Sequence, residues 1–218
     1  AEYLAELTES EMAEYFRGNL FANTPDILPP ILQQGGRPAF KMRLALAATL
    51  SSVYGIYSGY ELCENQAIPG TEEYLDSEKY EIKPRDRNGP GALHDYIARI
   101  NRIRRENPAL QEYRNLRFYP CDDDNLLVYG KRSFDGSNRI LVAVNLDPFE
   151  PHEGLVHLPL AEWGIGPEER HQAEELITET RHLWKGETQL VRLDPAVEPA
   201  AIFRLSRFPH KDYGTPCY

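Results

Sequence analysis

The chain has 218 residues, enough for one large domain or two small ones, and its 41% apolar and 11% aromatic content suffices to bury a core. With 34 acidic against 24 basic residues the formal charge is -10, which argues against a nucleic-acid footprint, and the scattered acid (Glu72-Glu73, Asp122-Asp123-Asp124, Glu168-Glu169) reads as a solvated surface. Three well-separated cysteines, Cys63, Cys121 and Cys217, lack metal-ligand or redox spacing, so they read as reduced thiols of a cytoplasmic protein, and no apolar run approaches membrane-spanning length.

Residues 3–16 (YLAELTESEMAEYF) predict helix around a capping box, Thr8-Glu9-Ser10-Glu11. The chain opens in charged amphipathic sequence with neither a secretory pattern nor a Met, so it is expected to begin inside an element of something longer. A short strand over 20–22 ends on Asn23-Thr24-Pro25-Asp26. Gly35-Gly36-Arg37-Pro38 breaks the chain and starts a second helix, on which Phe40, Leu44, Ala47, Ala48 and Leu50 keep helical spacing. The run 53–57 (VYGIY) has the pattern of a strand buried on both faces. Residues 61–91 are polar and without period, a length that in a compact domain is functional or disordered. Leu93, Tyr96, Ile97, Ile100 and Ile103 then mark a third helix, which stops at Asn107-Pro108.

Helix, strand, helix, strand, loop, helix is the order of a βα-barrel or an open parallel sheet. Two strands neither close a barrel nor bury their edges, so this half predicts the end of a larger α/β domain. After Pro108 the texture changes. Seven short strands are predicted, at 116–119, 126–132, 139–145, 155–158, 175–178, 189–193 and 201–205, separated by turn signals such as Asp135-Gly136 and Lys185-Gly186. They argue for an antiparallel sandwich, with a domain boundary near residue 110.

Asp26 lies just past a parallel strand, where barrel folds place catalytic groups, but an aspartate there is equally suited to capping the next segment. Glu61, after Tyr57-Ser58-Gly59-Tyr60, can orient a hydroxyl, although a tight turn with an exposed acid is the commoner meaning. The stretch 72–87 interleaves Tyr74, Lys79, Tyr80, Lys83, Arg85 and Arg87 with acids. Such residues stack on sugars and neutralise phosphate, yet a solvated charged loop has the same composition. The six histidines have no zinc spacing, and no phosphate-binding glycine loop or nucleophile elbow is present.

Together these pieces resemble the α-amylase superfamily. FANTPD (21–26) is similar to its seventh-strand motif, GIYSGYE (55–61) to its eighth-strand motif, and NLLVYGKRS with ILVAVNLDP to the sandwich that follows the barrel. Within it, NTPDILP, GGRPAFKMRLALAATLSSVYGIYSGYEL and EYLDSEKYEIKPRD resemble the α-1,4-glucan:maltose-1-phosphate maltosyltransferases. Pro25 departs from the superfamily, where His is usual, so that histidine's sugar contact is lost or supplied elsewhere.

The resemblance implies an α/β plus all-β chain, with 1–110 the C-terminal quarter of a catalytic (β/α)8 TIM barrel and 111–218 a C-terminal β-sandwich. It implies retaining transfer of maltose from α-maltose 1-phosphate to the non-reducing end of an α-1,4-glucan, with a covalent intermediate. Asp26 would stabilise the transition state, and Lys79 and Tyr80 would bind maltose 1-phosphate. The nucleophile and acid/base would precede Ala1, so this stretch alone is expected to be inactive. No cofactor, metal, nucleic acid or membrane is implied, and a homodimer is. The alternatives are another hydrolase or transglycosylase of the superfamily, or a carbohydrate-binding module.

Overall fold

The computed structural model describes residues 2–78, 82–86, 89, 91–166 and 168–207. Helix α1 (Glu2–Glu9) is followed by a separate 3-10 turn, Glu11–Glu14, in place of one long helix. The predicted capping box does not form there. The Thr8 hydroxyl turns back to the Leu4 carbonyl (2.9 Å), while Ser10 accepts from the Met12 N–H (3.2 Å) and starts the 3-10 turn.

Strands β1 (Asn19–Phe21) and β2 (Val53–Gly55) pair in parallel, with Leu20 opposite Tyr54. Between them run α2 (Pro30–Gln34) and α3 (Gly36–Leu50), the crossover that a parallel pair requires. Strand β2 is shorter than expected, and Val53 is 51% exposed. Burial on both faces needs neighbours, and β1 is the only strand that pairs with β2 among the described residues.

Helix α3 explains how the two halves meet. Ala39, Phe40, Met42, Leu44, Ala45, Ala47, Ala48 and Leu50 are all buried, so the helix is apolar nearly all round. It touches β1 and β2 on one side and two strands of a large antiparallel sheet on the other. Its alanines let backbones approach closely. Helix α4 (His94–Glu106) packs beside it through Tyr96, Ile100 and Ile103.

The large sheet contains β3 (Leu116–Phe118), β4 (Leu126–Arg132), β5 (Arg139–Asn145), β7 (Arg170–Glu175), β8 (Thr180–Lys185) and β10 (Ala200–Arg207), in the order β3-β4-β5-β10-β7-β8. A second, two-stranded sheet pairs β6 (His152–His157) with β9 (Thr188–Leu193). Alternation along the central strands builds both cores. Ile140, Val142, Val144 and Ile202 face the helices, and Leu141, Ala143, Ala201 and Phe203 face the second apolar cluster with Val156, Trp163 and Val191. The result is a helical layer, a six-stranded sheet and a two-stranded sheet. No described helix is long and apolar enough to cross a membrane.

The sequence missed β8 and misplaced β7. Residues 176–179 form the turn between them, with Glu179 at φ 60°. Leu176 and Ile177 suggested a strand because they are apolar, but they pack from that turn onto the helix-side core.

Candidate active site

The C-terminal ends of β1 and β2 and the long loop converge. Beyond β1, Ala22 is fully buried and continues the ladder through its N–H to the Gly55 carbonyl (3.1 Å). Asn23 is 2% exposed; its Oδ1 accepts from the Tyr57 N–H (2.8 Å) and its Nδ2 donates to the Tyr74 hydroxyl (2.6 Å). A tight turn follows, in which Thr24 and Ile27 exchange backbone hydrogen bonds (3.1 and 3.3 Å). Asp26 stands exposed on it. Helix α2 begins at Pro30 with Pro29 at its cap position and no side-chain cap, so Asp26 does not serve as that helix's cap.

Beyond β2, Tyr57 packs its ring 5.6 Å from that of Tyr74 and accepts at its hydroxyl from the Glu78 N–H (2.9 Å). Burial pushes the Tyr74 phenol up to about 12, although the Asn23 hydrogen bond opposes this. Gly59 has φ 92°, so the left-handed turn calls for glycine, and a Cβ there would lie 2.3 Å from a Glu64 carboxylate oxygen and push that side chain aside. The Glu61 carboxylate accepts from the Gly59 N–H (3.0 Å), and its backbone carbonyl receives the Leu93 N–H (2.6 Å). Glu61 therefore ties down its own turn.

Arg85 is the charged centre of the loop. Its side chain is only 4% exposed, and its guanidinium reaches Glu64 (2.9 Å), Glu78 (2.7 Å) and the Ser58 hydroxyl (3.2 Å). Burial works against its charge, but the two carboxylates more than restore it and hold Arg85 firmly protonated. The same contact holds the Glu78 carboxyl below its usual range. Lys83 also reaches Glu64 (3.2 Å). A cavity of 210 Å³ opens beside this group, lined by Glu64, Gln66, Tyr74, Asp76 and Lys83 among others. Lys79 and Tyr80 lie outside the described residues.

The site therefore offers one exposed carboxylate at a strand end, beside a polar loop that is fastened to both strand ends. Sequence reasoning named Asp26 and the loop but missed Asn23, Tyr57 and Glu64 as its fasteners. A signal existed for Asn23: a carboxamide directly after an apolar strand must be paired if it is buried. A larger, mainly apolar groove of 390 Å³ between β8, β9 and β10 is lined by Trp184, Leu190 and Phe203, none of them on these strand ends or the loop.

Residues 118–205 match the family described as GLGE, C-terminal. The alpha-1,4-glucan:maltose-1-phosphate maltosyltransferase of Rhodospirillum rubrum is 58% identical over 204 residues, 94% of this chain and 30% of that protein. Its namesake in Myxococcus xanthus is 51% identical over 207 residues, 95% of this chain and 31% of that protein. The chain is homologous to these maltosyltransferases. It spans about a third of the length of the curated relatives it matches. The maltosyltransferase similarity includes the strand ends and the loop as well as the antiparallel sheets. An alpha-amylase from Geobacillus thermoleovorans, crystallised with acarbose, superposes with a TM-score of 0.62 at 16% identity, covering 86% of this chain and 38% of the amylase. That likeness concerns the fold alone, and it is α-amylase-like with a β-rich C-terminal part.

Proposed function

We propose that this chain is the C-terminal part of a retaining enzyme that transfers maltose from α-maltose 1-phosphate to the non-reducing end of an α-1,4-glucan, releasing phosphate. The observation that carries this reading is 51% and 58% sequence identity, over nearly the whole of this chain, to proteins bearing that name. In this reading 1–110 is the last quarter of a (β/α)8 barrel, to which β1 and β2 contribute the seventh and eighth strands, and 111–218 is the sandwich domain.

The chemistry needs a carboxylate to attack the anomeric carbon as the C–O bond to phosphate breaks. The glucan 4-hydroxyl then attacks the glycosyl-enzyme and gives its proton to the acid/base. The reading assigns both of those groups to barrel strands outside these 218 residues. Asp26 is the third carboxylate, stabilising the oxocarbenium-like charge, and its exposed place at a strand end supports that role. Lys79 and Tyr80 are proposed to contact maltose 1-phosphate, in a cytoplasmic homodimer.

The test is phosphate release from α-maltose 1-phosphate by the intact protein that carries this chain. Wild-type protein should release phosphate and lengthen the glucan, Asp26→Asn should be impaired, and residues 1–218 alone should be inactive. Glucan hydrolysis without phosphate release would refute the assignment.

A further inference from the structure

Asn23 is the second residue past β1, and its buried carboxamide uses both ends. One side chain thereby joins the end of β1 to Tyr57 at the end of β2 and to Tyr74 on the loop. The turn carrying Asp26 begins at the next residue, Thr24. On its far side the Leu28 N–H donates to the Glu72 carbonyl (2.6 Å), and the Gln33 side chain donates to the carbonyls of Leu28 (2.9 Å) and Thr71 (3.1 Å). The turn therefore has two roots, Asn23 upstream and Leu28 downstream, both fastened to the loop stretch 71–74. The upstream fastening is a side-chain hydrogen bond in a dry setting, since Asn23 is 2% and Tyr74 4% exposed. With its phenol pushed up to about 12 by burial, Tyr74 remains a neutral hydroxyl throughout the neutral range.

We infer that Asn23, paired with Tyr74, is the positioning residue for the Asp26 carboxylate. This rests on the maltosyltransferase reading of Asp26 given above. A group that stabilises developing charge must be held to a fraction of an ångström, and a misplacement of about 1 Å costs roughly 100-fold in rate. Asn23 does not touch substrate. It sets where the Asp26 turn leaves the strand, and Tyr74 carries the loop's side of the same constraint.

The experiment measures phosphate release from α-maltose 1-phosphate by the intact protein in four variants: Asn23→Ala, Tyr74→Phe, Asp26→Asn, and the Asn23→Ala/Asp26→Asn double. Asn23→Ala should lower kcat about 10- to 100-fold with KM moving less than about threefold. Tyr74→Phe, which removes one hydroxyl and keeps the ring, should give a smaller fall in the same direction. Adding Asn23→Ala to Asp26→Asn should leave the residual rate unchanged, because there is no carboxylate left to position. A merely structural Asn23 would slow Asp26→Asn by the same factor as wild type, and that additivity overturns the inference, as does a near-normal kcat for Asn23→Ala. If Asn23→Ala does not fold, Tyr74→Phe combined with Asp26→Asn completes the same cycle. Near-normal turnover by Asp26→Asn would instead overturn the reading of Asp26 itself, so the two failures are distinguishable.

Discussion

Replacing Lys131 by Met should stabilise the protein, and by an amount that depends on pH. Lys131 lies on β4 and is 2% exposed, and its ammonium donates to the Glu112 carbonyl (2.6 Å). Burial, with help from the Arg104 charge and against the pull of Glu112, lowers its pKa from 10.5 to about 7. Between those values the unfolded chain holds a proton that the folded chain has shed. The unfolded state is therefore favoured as pH falls, and stability rises with pH across this window. At about 1.36 kcal/mol for each pH unit between 10.5 and about 7, the ceiling on the cost at neutral pH is about 5 kcal/mol. Local relaxation lowers this, so about 2–4 kcal/mol is the working expectation. Methionine fills a similar volume without the charge, and Glu112, whose carbonyl it frees, is only half-buried. Thermal unfolding of the intact protein at pH 7 should show Lys131→Met melting higher than wild type. The advantage should shrink steadily toward pH 9.5. A Met variant less stable than wild type at pH 7, or an advantage independent of pH, would refute the reasoning.

Gly59→Ala should destabilise by about 2–3 kcal/mol, from the left-handed backbone and the displaced Glu64 carboxylate, and an unchanged melting temperature would contradict this. Thr49 donates to the Ala45 carbonyl (2.6 Å) and so accepts from the Tyr129 hydroxyl at 2.5 Å. Tyr129→Phe should therefore cost about 1 kcal/mol, and Thr49→Val, which strands a buried phenol, about 2; equal losses in denaturant titrations would argue against the pairing. The hydrogen bond from His152 to Asp123 (2.8 Å), with Asp147 at 3.5 Å, raises the His152 pKa above 6.5. Its stabilising contribution is present below pH 6.5 and is lost as pH rises through the folded pKa. An NMR titration should place the midpoint above 6.5 and show it falling in Asp123→Asn.

How far the fold could be read from sequence depended on whether apolar spacing was visible. Strands β4 and β5 and helices α3 and α4 were legible because their buried positions are Leu, Ile, Val, Ala and Tyr at the right period. Strand β7 was not, since its inward positions are His171, Ala173 and Glu175, two of them polar despite burial. Strand β8 (TRHLWK) is exposed along most of its length, so no alternation marks it. At the site, the position of Asp26 just past a strand was legible. The Asn23–Tyr74 contact was not, because it spans 51 residues and local pattern carries no information about such a partner. Arg85 appeared only as one charge among many, and its near-complete burial between Glu64 and Glu78 emerges only when the loop is folded.

Because α3 is a wall common to the strand pair and the six-stranded sheet, the β-rich part is not a cassette. Expressed from residue 111 onward, it would bare Leu116, Tyr129, Ile140, Val142, Val144 and Ile202, a greasy stripe across its central strands. An apolar face of that kind draws copies of itself together before it meets any saccharide. Recombination can therefore lengthen the turns on the far, two-stranded side with little penalty. Lifting the β-rich part away and grafting it elsewhere would demand a new helix of the same small-residue cut to lie against it.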